Sequence, residues 1–227
     1  MSDPELQIVE SEAEAARVVA ELLAAAARSG AEIALTGGST PRQAYELTAG
    51  LEPDWSRAGV WWGDERCVPP ADERSNFRLA RESLLDRIER GPRVHRIQGE
   101  REPERAAAAY EQELQGVQLD LILLGLGPDG HVASLFPNAP SLEERDRLVV
   151  SAPAQLEPFI DRVTLTLPAL CAGNEVVFLV TGGDKADAVG RAFASPPGPE
   201  TPASLVRSTE GRTLVVLDAA AASKLPG

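Results

Sequence analysis

Four short segments of this chain join small, hydroxylic and charged residues in ways that suit the chemistry of anions. The first is Thr36-Gly37-Gly38-Ser39-Thr40-Pro41. Glycines let a backbone approach a ligand closely, and the two hydroxyls add donors. Thr40 can cap a helix with Pro41 at its first position, and a helix start offers free N–H groups and partial positive charge, which suit phosphate. An ordinary strand-to-helix turn uses the same residue types, so the segment alone fits both readings. No Gly-Lys-Ser/Thr follows, so it is not a Walker A loop. The second segment is Asp64-Glu65-Arg66, directly after the apolar Val60-Trp61-Trp62-Gly63. Three charges there either turn to solvent or enter a cleft, because unpaired buried charge is costly. Their position at a strand end favours the cleft, with Arg66 facing an anion and Asp64 orienting it.

The third segment runs from Gly125 to Pro137, GLGPDGHVASLFP, and carries His131, one of two histidines in the chain. It follows a Gly-rich turn and is expected to open a short helix. A helix N-terminus disfavours imidazolium and so keeps the ring neutral and able to accept a proton. The other histidine, His95 in Arg93-Val94-His95-Arg96-Ile97, lacks such a setting and reads as structural or exposed. The fourth group is Arg162, opening Val163-Thr164-Leu165-Thr166, and Lys185 in Thr181-Gly182-Gly183-Asp184-Lys185. Each is either a surface cation near an element end or a phosphate ligand. The sequence has no metal-ligand cluster, no GxSxG elbow and no dinucleotide-binding fingerprint.

These residues must be positioned by the elements around them, and the chain alternates helical and strand patterns throughout. Ser11 with Glu14 makes a capping box before an Ala/Val/Leu-rich helix to Ala27. Further helices are expected from Pro41 towards Ala49, from Ser75 to about Ile88, from Pro103 to about Leu114 and from about Asp184 to Phe193. Strands are expected at 33–35, 60–62, 119–124, 148–151, 163–167, 176–180 and 214–217. Leu119 to Leu124 is almost continuously apolar, as a strand buried on both faces of a parallel sheet should be. Alternating strands and helices imply a parallel or mostly parallel sheet covered on both faces, in one α/β domain spanning 1–227. The reactive segments all follow strands. In open α/β sheets ligands bind beyond the carboxyl ends of the strands, so these segments can converge on one cleft.

Composition narrows the partners. The chain has 35 acidic and 22 basic residues, a formal net charge of −13, and no run of Lys or Arg to form a basic patch. Nucleic acid and anionic membranes are therefore not expected partners. Lys185 and Lys224 are the only lysines, which draws attention to the one set in a Gly-rich turn. The N-terminal residues show no signal-peptide pattern, and no apolar stretch is long enough to span a bilayer. Cys67 and Cys171 have no metal-like spacing and read as reduced thiols of a cytoplasmic protein.

Taken together, LTGGSTP (35–41), WWGDERCVP (61–69), SNFRLARESLL (75–85), LDLILLGLGPDGHVASLFP (119–137), RVTLTLPAL (162–170) and VTGGDKADAV (180–189) resemble the 6-phosphogluconolactonase family in content and order. The resemblance implies a Rossmann-like three-layer α/β/α fold with a mostly parallel sheet, similar to the glucosamine-6-phosphate deaminase and ribose-5-phosphate isomerase group. It implies hydrolysis of a phosphorylated sugar lactone without metal or organic cofactor, by a monomer or small homo-oligomer. The catalytic group would be His131, supported by Arg66 and Asp64. Substrate contacts would fall on Gly37, Gly38, Ser39, Thr40, Arg66, Gly130, Arg162 and Lys185. Thr36 and Val132 stand where the family often has Ser and Thr. Deaminases of this group resemble a Phe-Asn-Glu-Pro pattern after the histidine, whereas Ser134-Leu135-Phe136-Pro137 stands here and lacks the acid. Sugar-phosphate-sensing regulators of similar fold carry a DNA-binding segment first, for which the expected helix near Ser11 leaves no room.

Overall fold

The structure is a computed structural model describing residues 3–51, 53–155 and 159–226. The chain opens with β1 (Glu5–Val9) and α1 (Glu12–Ser29), then β2 (Glu32–Leu35) and α2 (Thr40–Gly50). Next come β3 (Gly59–Trp62), β4 (Asp64–Arg66), α3 (Asn76–Ser83), β5 (Arg93–Val94), α4 (Pro103–Leu114) and β6 (Leu121–Leu124). The second half holds β7 (Val149–Ala152), β8 (Arg162–Leu165), α5 (Leu167–Cys171), β9 (Glu175–Val180), α6 (Ala186–Phe193) and β10 (Arg212–Asp218).

Seven strands form a parallel sheet in the order β1-β10-β9-β6-β2-β3-β5. Its centre is apolar on both faces: every residue of β3 and β6 is buried. Helices layered on this sheet give the expected three-layer α/β/α arrangement. In α1, Ala15, Ala16, Val19, Ala20, Leu23, Ala24 and Ala27 make one buried stripe at helical spacing. Ser11 Oγ accepts from the Glu14 amide, and Gly30, at φ 80°, closes the helix by donating back to Ala26 and Ala27. Among the described residues no helix is long and apolar enough to cross a membrane.

Three expectations need correction. The strands read at 148–151 and 163–167 do not enter the parallel sheet. β7 and β8 pair antiparallel with each other, and β8 pairs antiparallel with β4, in a separate three-stranded sheet. The alternating apolar pattern of a strand names its buried face but not its partner. The chain also leaves β8 two residues early, because Thr166 Oγ1 caps α5 by accepting from the Ala169 amide. The helix after Pro41 begins at Thr40, so Ser39, not Thr40, holds the cap position, and its hydroxyl makes no capping bond.

Candidate active site

Four neighbouring strands of the parallel sheet, β9, β6, β2 and β3, deliver four loops to one end. Buried tyrosines fix two of these exits. Tyr45 OH donates to the Thr36 carbonyl at 2.7 Å and accepts from the Thr36 amide at 3.0 Å, where β2 ends. Tyr110 OH does the same for Trp62 at the end of β3, at 3.0 and 2.8 Å. Burial pushes both phenols far above their ordinary range, so they stay protonated and both bonds of each persist. On the far side Gly182, at φ 96°, donates to both carboxylate oxygens of Asp218, the last residue of β10. That bond sets the turn leading to Lys185.

The loops enclose a cleft of about 510 Å³ lined by Gly37, Gly38, Ser39, Thr40, Asp64, Arg66, His131, Arg162 and Lys185. The structure thus brings together every residue expected at the site except Gly130. Gly130 is buried beside the cleft, not in its lining. Its amide donates to Gly127 and its carbonyl accepts from Ala203, so neither backbone group is free for a ligand. Its φ of 96° and a Thr201 methyl only 2.9 Å from where a Cβ would stand explain the glycine in structural terms.

Gly37 and Gly38 differ in the same way. A Cβ on Gly37 would strike Asn76, whereas Gly38, at φ 97°, has open space around it. Gly38 is therefore the point at which a ligand can come close to the backbone.

His131 does not open a helix. It lies in an irregular turn closed by a bridge between Val132 and Leu135, with Ala133 in the left-handed region. The helix-dipole argument for a neutral ring therefore lapses, and a neighbour missed in the sequence replaces it. Asp129 Oδ1 stands 2.6 Å from His131 Nδ1 and also accepts from the His131 amide at 3.2 Å. Facing a carboxylate, Nδ1 carries the hydrogen, which leaves Nε2 of the neutral ring as the proton acceptor. Burial pulls the Asp129 carboxyl upward, but its hydrogen bonds to the His131 ring and amide, joined by the ring's charge whenever the imidazole is protonated, outweigh this and hold it below the usual carboxylate range. A Cβ on Gly127 would lie 2.0 Å from Nδ1, so this glycine makes room for the ring. An acid two residues before a histidine, separated by glycine, was the available signal. His95, by contrast, stacks flat on Trp61 with ring centroids 4.0 Å apart and meets Glu113, the structural role expected of it.

Asp64 does not orient Arg66. Among the described residues the two form no hydrogen bond or ion pair. Asp64 is buried and accepts from Ser134 Oγ at 2.5 Å and Asn76 Nδ2 at 3.0 Å. Through Ser134, whose amide also donates to Thr164 Oγ1, Asp64 ties the His131 turn to the small sheet. Arg66 donates instead to the Arg74 carbonyl at 2.6 Å, and its Nε has no partner.

The most telling electrostatic feature is the register of β4 on β8, which sets Arg66 directly opposite Arg162. Directly opposed residues of an antiparallel pair share a face, and like charges there repel. Arg162 is buried, and burial together with the Arg66 charge pushes its pKa down. Negative charge of a substrate beside either guanidinium offsets that repulsion. Lys185 adds a third cation, with only a loose 3.9 Å approach to Asp184. Asn76 and Ser134 were missed in the sequence; Asn76 reads there only as the first residue of a Ser-capped helix. Among the described residues no His/Cys/Asp/Glu group has the geometry to hold a metal ion, and both cysteines are free.

A parallel sheet with a cationic, histidine-bearing cleft beyond its strand ends is the architecture of an α/β enzyme suited to an anionic substrate. Comparison with known proteins makes this specific. The family of glucosamine-6-phosphate isomerases/6-phosphogluconolactonase matches residues 8–215, and the chain belongs to it. It is 40% identical to a 6-phosphogluconolactonase of Streptomyces coelicolor, with 95% of this chain and 90% of that one covered. The 6-phosphogluconolactonase structure from Thermotoga maritima superposes with a TM-score of 0.81 at 32% identity, over 95% of this chain and all of the other. A monomeric glucosamine-6-phosphate deaminase gives a TM-score of 0.88 at 19% identity, over 97% and 99% of the two chains, a likeness of fold alone.

If Asp129 fixes the tautomer and steadies imidazolium, Asp129→Asn lowers kcat about tenfold or more. Asp129, held below the usual carboxylate range, keeps its charge beside the ring down to acidic pH. A kcat within about threefold of the unsubstituted protein's would remove Asp129 from the mechanism.

Proposed function

We propose that this protein hydrolyses 6-phospho-D-glucono-1,5-lactone to 6-phosphogluconate, the lactone step of the oxidative pentose phosphate pathway, with His131 as general base. His131 Nε2 takes a proton from water as the oxygen attacks the lactone carbonyl. Asp129 stabilises the imidazolium that forms. The tetrahedral oxyanion is held by Arg66, and collapse breaks the ring C–O bond as the same imidazolium protonates the departing oxygen. Gly38, Ser39, Thr40, Arg162 and Lys185 hold the phosphate. Asp64 fixes the His131 turn through Ser134. The observation that carries this reading is the opposition of Arg66 and Arg162 beside a histidine–aspartate pair. It gives one cleft both a demand for an anion and a base. An ester-like carbonyl is already electrophilic, so these residues suffice for the step. The protein acts in the cytoplasm, as a monomer or small homo-oligomer, and takes neither nucleic acid nor membrane as partner.

The deaminase reading is disfavoured by Ser134-Leu135-Phe136-Pro137, which offers no acid after Phe136. The deciding experiment measures acid release from freshly generated 6-phosphogluconolactone, with spontaneous hydrolysis subtracted, beside ammonia release from glucosamine 6-phosphate. Rapid hydrolysis with no measurable ammonia is expected. Ammonia at a comparable rate would transfer the protein to the deaminases.

A further inference from the structure

Asn76 opens α3 and is 1% exposed. Its Nδ2 donates to the Asp64 carbonyl at 2.9 Å and to Asp64 Oδ1 at 3.0 Å. Both partners are acceptors, so the amide cannot be reversed without setting oxygen against oxygen. Oδ1 is thereby committed to the other side, where no hydrogen-bond donor meets it and where Gly37 lies against it. A Cβ on Gly37 would stand 1.8 Å from Oδ1. The Gly37 Cα hydrogen that occupies this direction therefore points at Oδ1, a C–H···O contact. Gly37 has no left-handed φ, so close approach to Asn76, and not backbone conformation, is what requires glycine there.

Asn76 is itself held from behind. The buried Glu65 carboxylate accepts from the Arg66 and Asn76 amides through Oε1, both at 2.7 Å. Through Oε2 it accepts from Ser75 Oγ at 2.9 Å and the Phe77 amide at 2.8 Å. A residue of β4 thus caps α3 from outside the helix and fixes its first residue against the strand that carries Asp64 and Arg66.

We propose that Asn76 is a positioning residue, the spacer that sets the Gly37–Thr40 phosphate loop at a fixed height above Asp64 and Arg66. Resting on the lactonase reading, this assigns to Asn76 the matching of two grips on one substrate: the loop on the phosphate and the β4 residues at the reacting end. A displacement of about 1 Å between such grips costs on the order of 10²-fold in rate.

The test is a double-mutant cycle of Gly37→Ala and Asn76→Ala, read as kcat/KM on the phosphorylated lactone and as the Kd for inorganic phosphate. Each single substitution is expected to weaken both quantities about tenfold or more. Gly37→Ala acts by pushing against Asn76, so adding it to Asn76→Ala should cost less than about threefold further. Losses that simply multiply would overturn the proposal, as would unchanged phosphate affinity in Asn76→Ala. If Asn76→Ala does not fold, Asn76→Ser carries the cycle, because it removes the reach towards Gly37 and keeps a hydroxyl near Asp64. An unsubstituted protein that fails to hydrolyse the lactone above background ends the lactonase reading. The phosphate-binding cycle still decides the role of Asn76 in that case.

Discussion

His131→Asn is expected to retain the fold and the affinity for 6-phosphogluconate while turnover falls by about 10²-fold or more. The asparagine Nδ2 can still donate to Asp129 in place of the ring Nδ1–H, but the side chain has no basic nitrogen to take a proton from water. The surrounding turn should survive the change, since it is held by bonds the imidazole does not make: Gly127 to the His131 carbonyl, Leu135 to Val132, and Ser134 to Asp64 and Thr164. His95→Asn is the matched control. It loses a stack on Trp61, in an aromatic cluster with Tyr110 that does not line the cleft, and should leave turnover within about threefold of the starting value. Equal activity of the two variants would dismiss His131 as the base.

Removing the phosphate from the substrate is expected to cost about 10²-fold or more in kcat/KM. Each charge-assisted hydrogen bond to a phosphate oxygen contributes roughly 1.5–3 kcal/mol, and the cleft offers at least two through Lys185 and Arg162. Part of the loss should fall on kcat, because binding energy at the remote group places the carbonyl against His131. Lys185→Ala should therefore lower kcat/KM strongly on the phosphorylated lactone and barely change the residual rate on gluconolactone. Lys185 is suited to this test because, among the described residues, its one ion-pair neighbour, Asp184, lies 3.9 Å away. Its loss strands no tightly paired buried charge. Equal weakening of both substrates would make Lys185 structural and leave the phosphate to Arg162 and the loop.

Much of this architecture is legible in the sequence because its signals are local. The apolar run ending at Leu124 needs no partner to be recognised as a buried strand, and Pro103 marks the first residue of α4 by its own chemistry. What was not legible is relational. β7 and β8 have ordinary strand patterns, and nothing within them says that they pair with β4 in place of the main sheet. The cleft divides in the same way. Arg66, Arg162 and Lys185 stand out as cations at the ends of strands, but the opposition of Arg66 and Arg162 exists only in the register of two segments far apart in the chain. Asp64 was noticed for its charge and assigned to the wrong neighbour, because its partners Ser134 and Asn76 come from two other loops. The expected helix at His131 failed because Ala133 adopts a left-handed conformation and Leu135 turns back to bond Val132.

The opposed arginines also bear on how the substrate arrives. The chain carries a net charge of −13, so a dianion approaching from bulk solvent meets repulsion first. The cleft's own cations, Arg66, Arg162 and Lys185, oppose that repulsion locally. Screening acts mainly on the long-range part, since the Debye length is about 10 Å at 0.1 M salt. Added salt therefore lowers the outer barrier before it weakens the inner attraction, and capture is fastest at intermediate ionic strength. A rate of capture that falls from the first addition of salt would show instead that the cleft's cations already outreach the acidic exterior.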